Sequence, residues 1–195
     1  CRHAYGLYKV GMVDQAMNQA EKLWTVGFSQ PDECDPIFNV WRGADGITPT
    51  IAWQRFALSL KENNKDLSSY LIRFVDRQDK PFATNYRLVH LKPKSIKRYK
   101  SFKATNIHNR EIILHGVKRL SRIDPEDALL TLGQYEKLQD FNPVELEDAY
   151  AYIGVRLAGK SNDLALIDSL PVNLHEQPKL VEARIRQSLE HGDWS

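Results

Sequence analysis

Residues 21–42, EKLWTVGFSQPDECDPIFNVWR, form the most informative stretch of this sequence. An amphipathic helical stretch runs up to Trp24, and a Gly-x-Ser-Gln-Pro turn follows at 27–31. Asp35 and Pro36 then mark the start of another helix, because proline fits the first helical position, where an N–H group would have no intrahelical partner. The stretch therefore predicts a helical hairpin at the beginning of the chain.

Helical spacing of apolar residues recurs through the rest of the chain, and no segment alternates convincingly as a β-strand. For example, Leu146, Ala149, Tyr150, Ile153 and Leu157 form one apolar face of a helix. We predict helices at 2–10, 13–26, 36–42, 49–62, 66–78, 83–92, 94–103, 108–122, 125–138, 143–158, 162–170 and 177–191.

Capping residues support these helix starts. Four times, a residue that caps helix N-termini well stands directly before a proline. Glu145, three residues after Asn142, adds the acid of a capping box. The four pairs are Asp35-Pro36, Thr48-Pro49, Asp124-Pro125 and Asn142-Pro143.

Short helices with brief polar connections predict an all-α fold. Connections of about two to six residues favour antiparallel neighbours, and helix pairs recur about every 30 to 40 residues. This rhythm favours an α-superhelix, or solenoid, of antiparallel helix pairs with about 10 to 12 helices. A compact helical bundle is the structural alternative. We expect one domain over residues 1–195, as a fragment of a longer chain.

Composition limits the possible functions. Of the 195 residues, 42% are hydrophobic and 27% are charged, and the net charge is +2 at pH 7. This balance requires neither a nucleic acid nor a membrane partner, and no run of about 18 apolar residues could span a bilayer. The two cysteines, Cys1 and Cys34, are open to interpretation as buried thiols or as a disulfide. Without a nearby second ligand pair they cannot complete a tetrahedral metal site.

Residues 92–103, KPKSIKRYKSFK, form a basic segment with six positive charges and no acid. We favour an exposed helix face whose apolar residues, such as Ile96 and Phe102, turn inward. The sharper interpretation is a contact surface for an anionic polymer. The residues for that contact are Lys94, Lys97, Arg98 and Lys100.

The sequence shows no motif for catalysis, metal binding or cofactor binding. His108 and His115 lie seven residues apart, or about 10 Å along a helix, which is too far for one metal ion. Carboxylate pairs such as Glu145 and Asp148 lack the cleft that a glycosidase acid requires. We therefore predict no catalytic residue, no metal and no cofactor. Trp41, near a helix end, is the candidate for carbohydrate stacking.

A combination of motifs near the beginning of the chain resembles a known family. Cys1 opens a helix, Leu-Trp stands at 23–24, Gly-Phe-Ser-Gln-Pro at 27–31 and Cys-Asp-Pro-Ile-Phe-Asn-Val-Trp at 34–41. Together these motifs resemble the superhelical, non-catalytic part of the soluble lytic murein transglycosylases, periplasmic enzymes that cut peptidoglycan. The resemblance is strongest over residues 1–64 and returns at 181–193.

The resemblance implies a right-handed superhelical domain of the U type, without the catalytic domain. It also implies a disulfide between Cys1 and Cys34, and hence the oxidising periplasm of a Gram-negative bacterium. Closing a loop of about 34 residues would stabilise the fold by ~3.8 kcal/mol in the chain-entropy model. The family's enzymes use a Glu followed by Ser as acid and base, and this sequence has no Glu-Ser dipeptide. We therefore expect no glycan cleavage by this chain alone, although the parent enzyme that it resembles is a glycan-cleaving lyase.

The leading functional hypothesis is a non-catalytic scaffold. It would help build a ring that guides the MurNAc-GlcNAc strands of peptidoglycan to a downstream catalytic domain. Its expected partners are those strands, through the parent enzyme, and the remaining domains of the parent chain. The alternative is an α-solenoid that binds proteins and has no carbohydrate role. Nucleic-acid binding through residues 92–103 would require a steep salt dependence, and we expect no nucleic-acid partner.

Overall fold

The computed structural model describes residues 1–159 and 164–192. Within these ranges the chain forms eleven α-helices and four short 3₁₀ helices, and no β-strand. The chain divides into two compact units, residues 1–87 and residues 88–195. The predicted all-α class is confirmed, whereas the single domain over the whole chain stays a prediction.

The first unit consists of helices joined by short turns. Helix α1 packs on α2, both contact α3, and α4 packs on α5. A 3₁₀ helix, Asp32–Cys34, leads into α3, and α6 begins in this unit and ends in the second one. The helices are α1 (Arg2–Lys9), α2 (Val13–Trp24), α3 (Asp35–Gly43), α4 (Pro49–Lys61), α5 (Lys65–Leu71) and α6 (Lys80–Leu91).

The second unit is organised around its longest helix, α9, which contacts α7, α8, α10 and α11. Close contact is possible because Gly154 has no side chain: a Cβ there would lie 2.6 Å from Leu170 Cδ1 and 2.8 Å from Leu180 Cδ2. The helices are α7 (Ile107–Leu120), α8 (Pro125–Glu136), α9 (Pro143–Ala158), α10 (Leu164–Asp168) and α11 (Pro178–His191), with 3₁₀ helices at Pro93–Lys97, Tyr99–Phe102 and Val172–Leu174.

Three of the four predicted caps form. Thr48, Asp124 and Asn142 each accept a hydrogen bond from a backbone N–H group in the first turn of their helices, at 2.9 to 3.3 Å. Asp35 does not act in this way, because α3 already begins at Asp35 and the capping position is occupied by Cys34. The proline still marks the start of α3, so the boundary is correct although the capping residue is not.

The predicted helix at 66–78 is wrong in its second half, because α5 ends at Leu71. Beyond that point the backbone tightens into turns, with the N–H group of Phe74 bonded to the carbonyl oxygen of Leu71 at 3.0 Å. Asp76 then accepts a hydrogen bond from the N–H group of Gln78 at 2.8 Å. A side chain that bonds its own backbone in this way competes with helix formation.

The predicted α-helix at 94–103 is also wrong, because the basic segment forms two 3₁₀ helices. Lys92 stands before Pro93 and adopts φ −131° and ψ 79°, since a proline disfavours helical backbone in the residue before it. Like charges one turn apart would further destabilise a regular α-helix. The predicted helix at 162–170 falls partly on residues 160–163, which lie outside the described residues. The remaining predicted helices agree with the structure to within three residues at each end.

Buried polar side chains of the second unit hold the backbone of the basic segment. The Tyr135 hydroxyl donates a hydrogen bond to the carbonyl oxygen of Ile96 at 2.6 Å. Gln139 Nε2 donates to the carbonyl oxygen of Phe102 at 2.9 Å. These bonds satisfy backbone groups that a 3₁₀ helix leaves without regular partners. The side chains of Ile96 and Phe102 are buried beneath the segment, as the sequence predicted.

Candidate functional site

The first unit contains an open cleft with a volume of about 410 Å³, which is within the size range of small-molecule sites. We name it the Arg55 cleft. Its walls come from α2, α3, α4 and α5, from the loop after α2 and from the turn after α5. The lining residues are Trp24, Ser29, Gln30, Asp35, Phe38, Arg42, Arg55, Asp66, Leu67, Tyr70 and Phe74.

Helix periodicity explains two of the walls. Asp35, Phe38 and Arg42 are spaced by three and four residues, so they lie on one face of α3. Asp66 and Tyr70 are four residues apart on α5 and share a face in the same way. Both aspartates stand in the first turn of their helices, where the helix dipole stabilises a negative charge. The cleft therefore has acidic as well as basic groups at its surface.

The loop after α2 approaches the α4 backbone closely at Gly27. A Cβ at Gly27 would lie 2.6 Å from the carbonyl oxygen of Leu58, so no other residue fits there without a shift. Gln30 Nε2 donates a hydrogen bond to the carbonyl oxygen of Leu23 at 2.7 Å, which fixes the other end of the loop. The loop therefore keeps its place against α4 and brings the Phe28 carbonyl group to Arg55.

Arg55 is the most unusual side chain of the cleft, because it is only 6% exposed. Its guanidinium carbon lies 4.4 Å from the centre of the Trp24 ring, a cation–π arrangement. Nη2 donates a long hydrogen bond to the carbonyl oxygen of Phe28 at 3.4 Å, while the buried Nε has no acceptor. The pKa of Arg55 is lowered to about 10, because burial, which lowers it, outweighs the opposing effect of Tyr70. The group is still a full cation at neutral pH.

No carboxylate within the described ranges forms an ion pair with Arg55, although two aspartates line the same cleft. Buried charges in proteins are normally paired with an opposite charge. Ion pairs among the described residues involve other side chains, such as the exposed Lys97 with the half-buried Asp127. Arg55 is therefore a buried cation without a paired carboxylate among the described residues.

Aromatic rings form the apolar part of the cleft. The Trp24 ring lies 6.1 Å from that of Phe74 in a T-shaped arrangement, and Phe74 lies 5.5 Å from Tyr70. Tyr70 is 45% exposed and stands at the open side. The guanidinium group of Arg73 lies 3.9 Å from the centre of the Tyr70 ring. Such rings offer flat apolar surfaces with fixed orientation to a ligand.

Trp41 is a core residue, only 3% exposed, and its ring lies 5.4 Å from that of Trp24. Gly46 lies directly against the Trp41 ring, and its N–H group donates to the Trp41 carbonyl oxygen at 3.0 Å. A sugar stacks on an exposed ring face, which Trp41 does not offer in the described structure. Its role here is to support Trp24 from behind.

The residues predicted to contact an anionic polymer belong to the second unit, whereas the Arg55 cleft is lined by residues of the first unit. Lys94, Arg98 and Lys100 are exposed, whereas Lys97 donates to Asp127 at 2.7 Å. That hydrogen bond raises the pKa of Lys97. One of the four charges is thus already matched within the protein, which weakens the segment as a polyanion surface.

Cys1 and Cys34 are brought side by side, with their sulfur atoms in contact and their Cα atoms 4.7 Å apart. This separation is within the range of disulfide-linked pairs. The arrangement follows from the packing of α1 against α2 and α3, which returns the start of α3 to the start of α1. A covalent bond between the sulfur atoms remains a proposal.

Two histidines that are distant in sequence meet in the second unit. His90 Nδ1 lies 3.1 Å from His115 Nε2, and the rings are stacked. The sequence pointed to His108 as the neighbour of His115 and gave no sign of His90, because His90 and His115 are 25 residues apart. Among the residues described, no group of three or more His, Cys, Asp or Glu residues could hold a metal ion. None of the described helices is long and apolar enough to cross a membrane.

Proteins similar to this chain include the soluble lytic murein transglycosylases of two bacteria. The soluble lytic murein transglycosylase of Escherichia coli K12 is 23% identical over 195 residues, which is 99% of this chain and 30% of that protein. The Salmonella typhimurium LT2 protein of the same name is 24% identical, with the same coverage. Homologues of this name thus cover nearly the whole chain, while the chain spans about 30% of their length.

Solved structures agree with this similarity. An inactive mutant of the lytic transglycosylase Slt from Pseudomonas aeruginosa matches 98% of this chain and 31% of its own, with a TM-score of 0.80 and 26% identity. The 70-kDa soluble lytic transglycosylase of Escherichia coli matches 98% of this chain and 37% of its own, with a TM-score of 0.65 and 20% identity. The predicted superhelical fold class is confirmed by these matches.

A further similarity covers less than half of the chain. Residues 8–100 match the family described as Cucumovirus coat protein. All regular elements in this range are helices, whereas capsid domains of the jelly-roll type consist of β-strands. We therefore assign no family from this match, and the transglycosylase homologues remain the relevant comparison.

Proposed function

We propose that this chain, homologous over nearly its whole length to a segment of the soluble lytic murein transglycosylases, is a non-catalytic helical scaffold of such an enzyme. In this role it helps build a ring that guides MurNAc-GlcNAc strands of murein to a catalytic domain elsewhere in the parent protein. The observation that carries the proposal is the structural similarity to the Slt protein of Pseudomonas aeruginosa, which extends over 98% of this chain.

The division of labour is supported by the sequence. The resemblance implies that catalysis needs a Glu followed by Ser, and no such dipeptide occurs in this chain. The homologues are about three times as long as the chain, since it covers 30% of their length. Glycan cleavage by a lyase mechanism is therefore assigned to the rest of the parent enzyme.

The proposed location is the periplasm. The contact between Cys1 and Cys34 supports it, because a disulfide at this position would persist only in an oxidising compartment. Mass spectrometry of the protein digested without reductant tests this point directly. A peptide that joins Cys1 to Cys34 is the expected product, and free thiols at both positions in protein recovered from a periplasm would contradict the proposal.

Two assays on purified murein test the scaffold role. In the first, the chain is added to a murein suspension whose turbidity is followed, with lysozyme as the positive control, and no clearing is expected. In the second, the chain is sedimented with murein, and retention above that of an unrelated helical protein of similar charge is expected. Clearing by the chain alone would contradict the division of labour, and absence of retention would contradict glycan guidance.

A second candidate function is protein binding by a helical solenoid. The observation that favours it is a row of exposed apolar residues on α11, where Val181, Ile185 and Leu189 are 37%, 55% and 54% exposed and are spaced by four residues. Pull-down from a periplasmic extract, compared with murein sedimentation, separates the two functions. Loss of capture after Ile185→Lys with unchanged murein retention would identify α11 as a protein-binding face.

A further inference from the structure

We propose that the Arg55 cleft binds a free carboxylate carried by a short peptide or a sugar acid, with the body of the ligand packed on the aromatic walls. This inference rests on the proposed function for the source of the ligand. In murein, free carboxylates occur in the peptide stems and on muramic acid residues that carry no stem, because a stem is attached through the muramic acid carboxyl group.

The cleft contains a buried positive charge that has no paired counter-charge within the described ranges. Arg55 is 6% exposed, yet it has no carboxylate partner among the described residues. A lone buried guanidinium group destabilises the fold, because the protein interior replaces its hydration poorly. Such a group is expected to persist where it serves a function. A ligand carboxylate entering the cleft would supply the missing counter-charge.

The guanidinium group of Arg55 also has unused hydrogen-bonding capacity. Its Nε–H group is buried and has no acceptor, and its Nη2 makes only the 3.4 Å contact with the Phe28 carbonyl oxygen. A guanidinium group has a planar fork of donors that fits the two oxygens of a carboxylate. The cation–π contact with Trp24, at 4.4 Å from the guanidinium carbon to the ring centre, restrains the position of this fork.

The remaining walls select the kind of carboxylate ligand. Tyr70, 45% exposed, offers flat apolar surface, which suits a methyl side chain or a sugar ring, and the buried Phe38 ring lines the wall of the cleft. Asp35 and Asp66 line the same cleft and suit N–H groups of an amide or amine. The two aspartates balance the charges of the two arginines that line the cleft, so the cleft has no excess positive charge for a densely charged polyanion. A small ligand with one carboxylate and several N–H groups fits best.

The test is a calorimetric titration of the intact chain with two pairs of probes. The first pair is N-acetyl-D-alanyl-D-alanine and its C-terminal amide, and the second is N-acetylmuramic acid and N-acetylglucosamine, which lacks the carboxylate. We expect at least one acid to bind with saturation in the millimolar range and its uncharged counterpart to bind about tenfold more weakly or worse. The acid that binds identifies the peptide stem or the sugar acid as the source.

Variants locate the site. Arg55→Gln should weaken binding of the acid about tenfold or more, while Arg77→Gln, which removes an exposed arginine of the same unit, should leave binding unchanged. Tyr70→Ala, at the exposed side of the cleft, should also weaken binding. Circular dichroism and thermal unfolding establish that each variant is folded. If Arg55→Gln does not fold, the acid–amide comparison and Tyr70→Ala decide the question without it.

The outcomes separate this inference from the proposed function. Failure of both acids to saturate, or equal affinity for acid and uncharged counterpart, would overturn the cleft as a carboxylate site. Murein retention that is unaffected by Arg55→Gln would leave the scaffold role standing and remove the cleft from it. Saturable binding of an acid without retention on murein would support the cleft and contradict glycan guidance.

Discussion

Replacing Arg55 with methionine is expected to stabilise the protein slightly, although the side chain is almost fully buried. Most substitutions of buried residues destabilise a protein by about 0.5 to 3 kcal/mol. Methionine keeps an unbranched apolar chain of similar length against Trp24 and removes the charge. The expected sign is therefore opposite to the usual one, and it follows from the unpaired cation in the structure.

The magnitude can be worked out from the contacts of Arg55. Lowering its pKa to about 10 corresponds to a desolvation cost of about 3 kcal/mol, which the substitution removes. The substitution also loses the cation–π contact with Trp24, at about 1 to 2 kcal/mol, and the long hydrogen bond to Phe28, at about 0.5 kcal/mol. The difference is a gain of about 1 kcal/mol in the free energy of unfolding, or a rise of about 2 to 4 °C in Tm.

Urea unfolding at pH 7, followed by tryptophan fluorescence, measures this difference. Arg77→Met is the matched control, because that arginine is exposed and its replacement should change the free energy of unfolding by less than about 0.5 kcal/mol. A loss of more than about 1 kcal/mol in Arg55→Met would contradict an unfavourable burial of the guanidinium group. It would mean that the guanidinium stabilises the fold, so that its burial needs no ligand to explain it.

Three further predictions concern other parts of the chain. Gly116→Ala should lower the free energy of unfolding by about 1 to 3 kcal/mol, because its Cβ would lie 2.6 Å from a methyl carbon of Val89. The control Gly133→Ala, with open space around the new Cβ, should raise the free energy of unfolding by up to ~1 kcal/mol. Equal effects of the two substitutions in the same denaturation assay would contradict the packing described. Cys34→Ser should lower the free energy of unfolding by ~3.8 kcal/mol, and reduction of the unsubstituted chain should have the same effect. Insensitivity of the unsubstituted chain to reductant would argue against a disulfide. Burial, with the hydrogen bond to Glu136, raises the pKa of Tyr150, so its contribution to stability is complete below the ordinary tyrosine pKa of about 10 and is lost as the pH rises above it. Tyr150→Phe should therefore flatten the alkaline decline of stability, and parallel pH profiles would contradict this assignment.

Local signals predicted most of the helices. Helix α9 begins at Pro143 and ends at Ala158, as predicted, because Asn142 caps it, its apolar residues follow one face and Gly159 stops it. In the basic segment the predicted α-helix is wrong, although Ile96 and Phe102 are buried as predicted. There the proline and the hydrogen bonds from Tyr135 and Gln139 impose 3₁₀ geometry, and those partners are more than 30 residues away.

The Arg55 cleft could not be predicted in the same way, since its walls come from four helices and two connecting segments. One signal was present in the sequence: Arg55 lies one helical turn after Ile51 and Ala52 and just before Phe56, on the apolar side of α4. A lone arginine at such a position indicates either a buried ion pair or a ligand site. The role of Trp41 was harder to predict, because its burial depends on Gly46 and on the position of Trp24.

The basic segment has a further consequence for how this protein can vary. Its backbone is held from beneath by Tyr135 and Gln139. Unlike Lys97, which forms an ion pair, the exposed Lys94 and Lys100 form no described side-chain hydrogen bond or ion pair that would add to this attachment. Surface charge can therefore be added, removed or inverted at Lys94 and Lys100 during evolution while the chain keeps its course. The same independence makes these two lysines convenient positions for attaching spectroscopic probes.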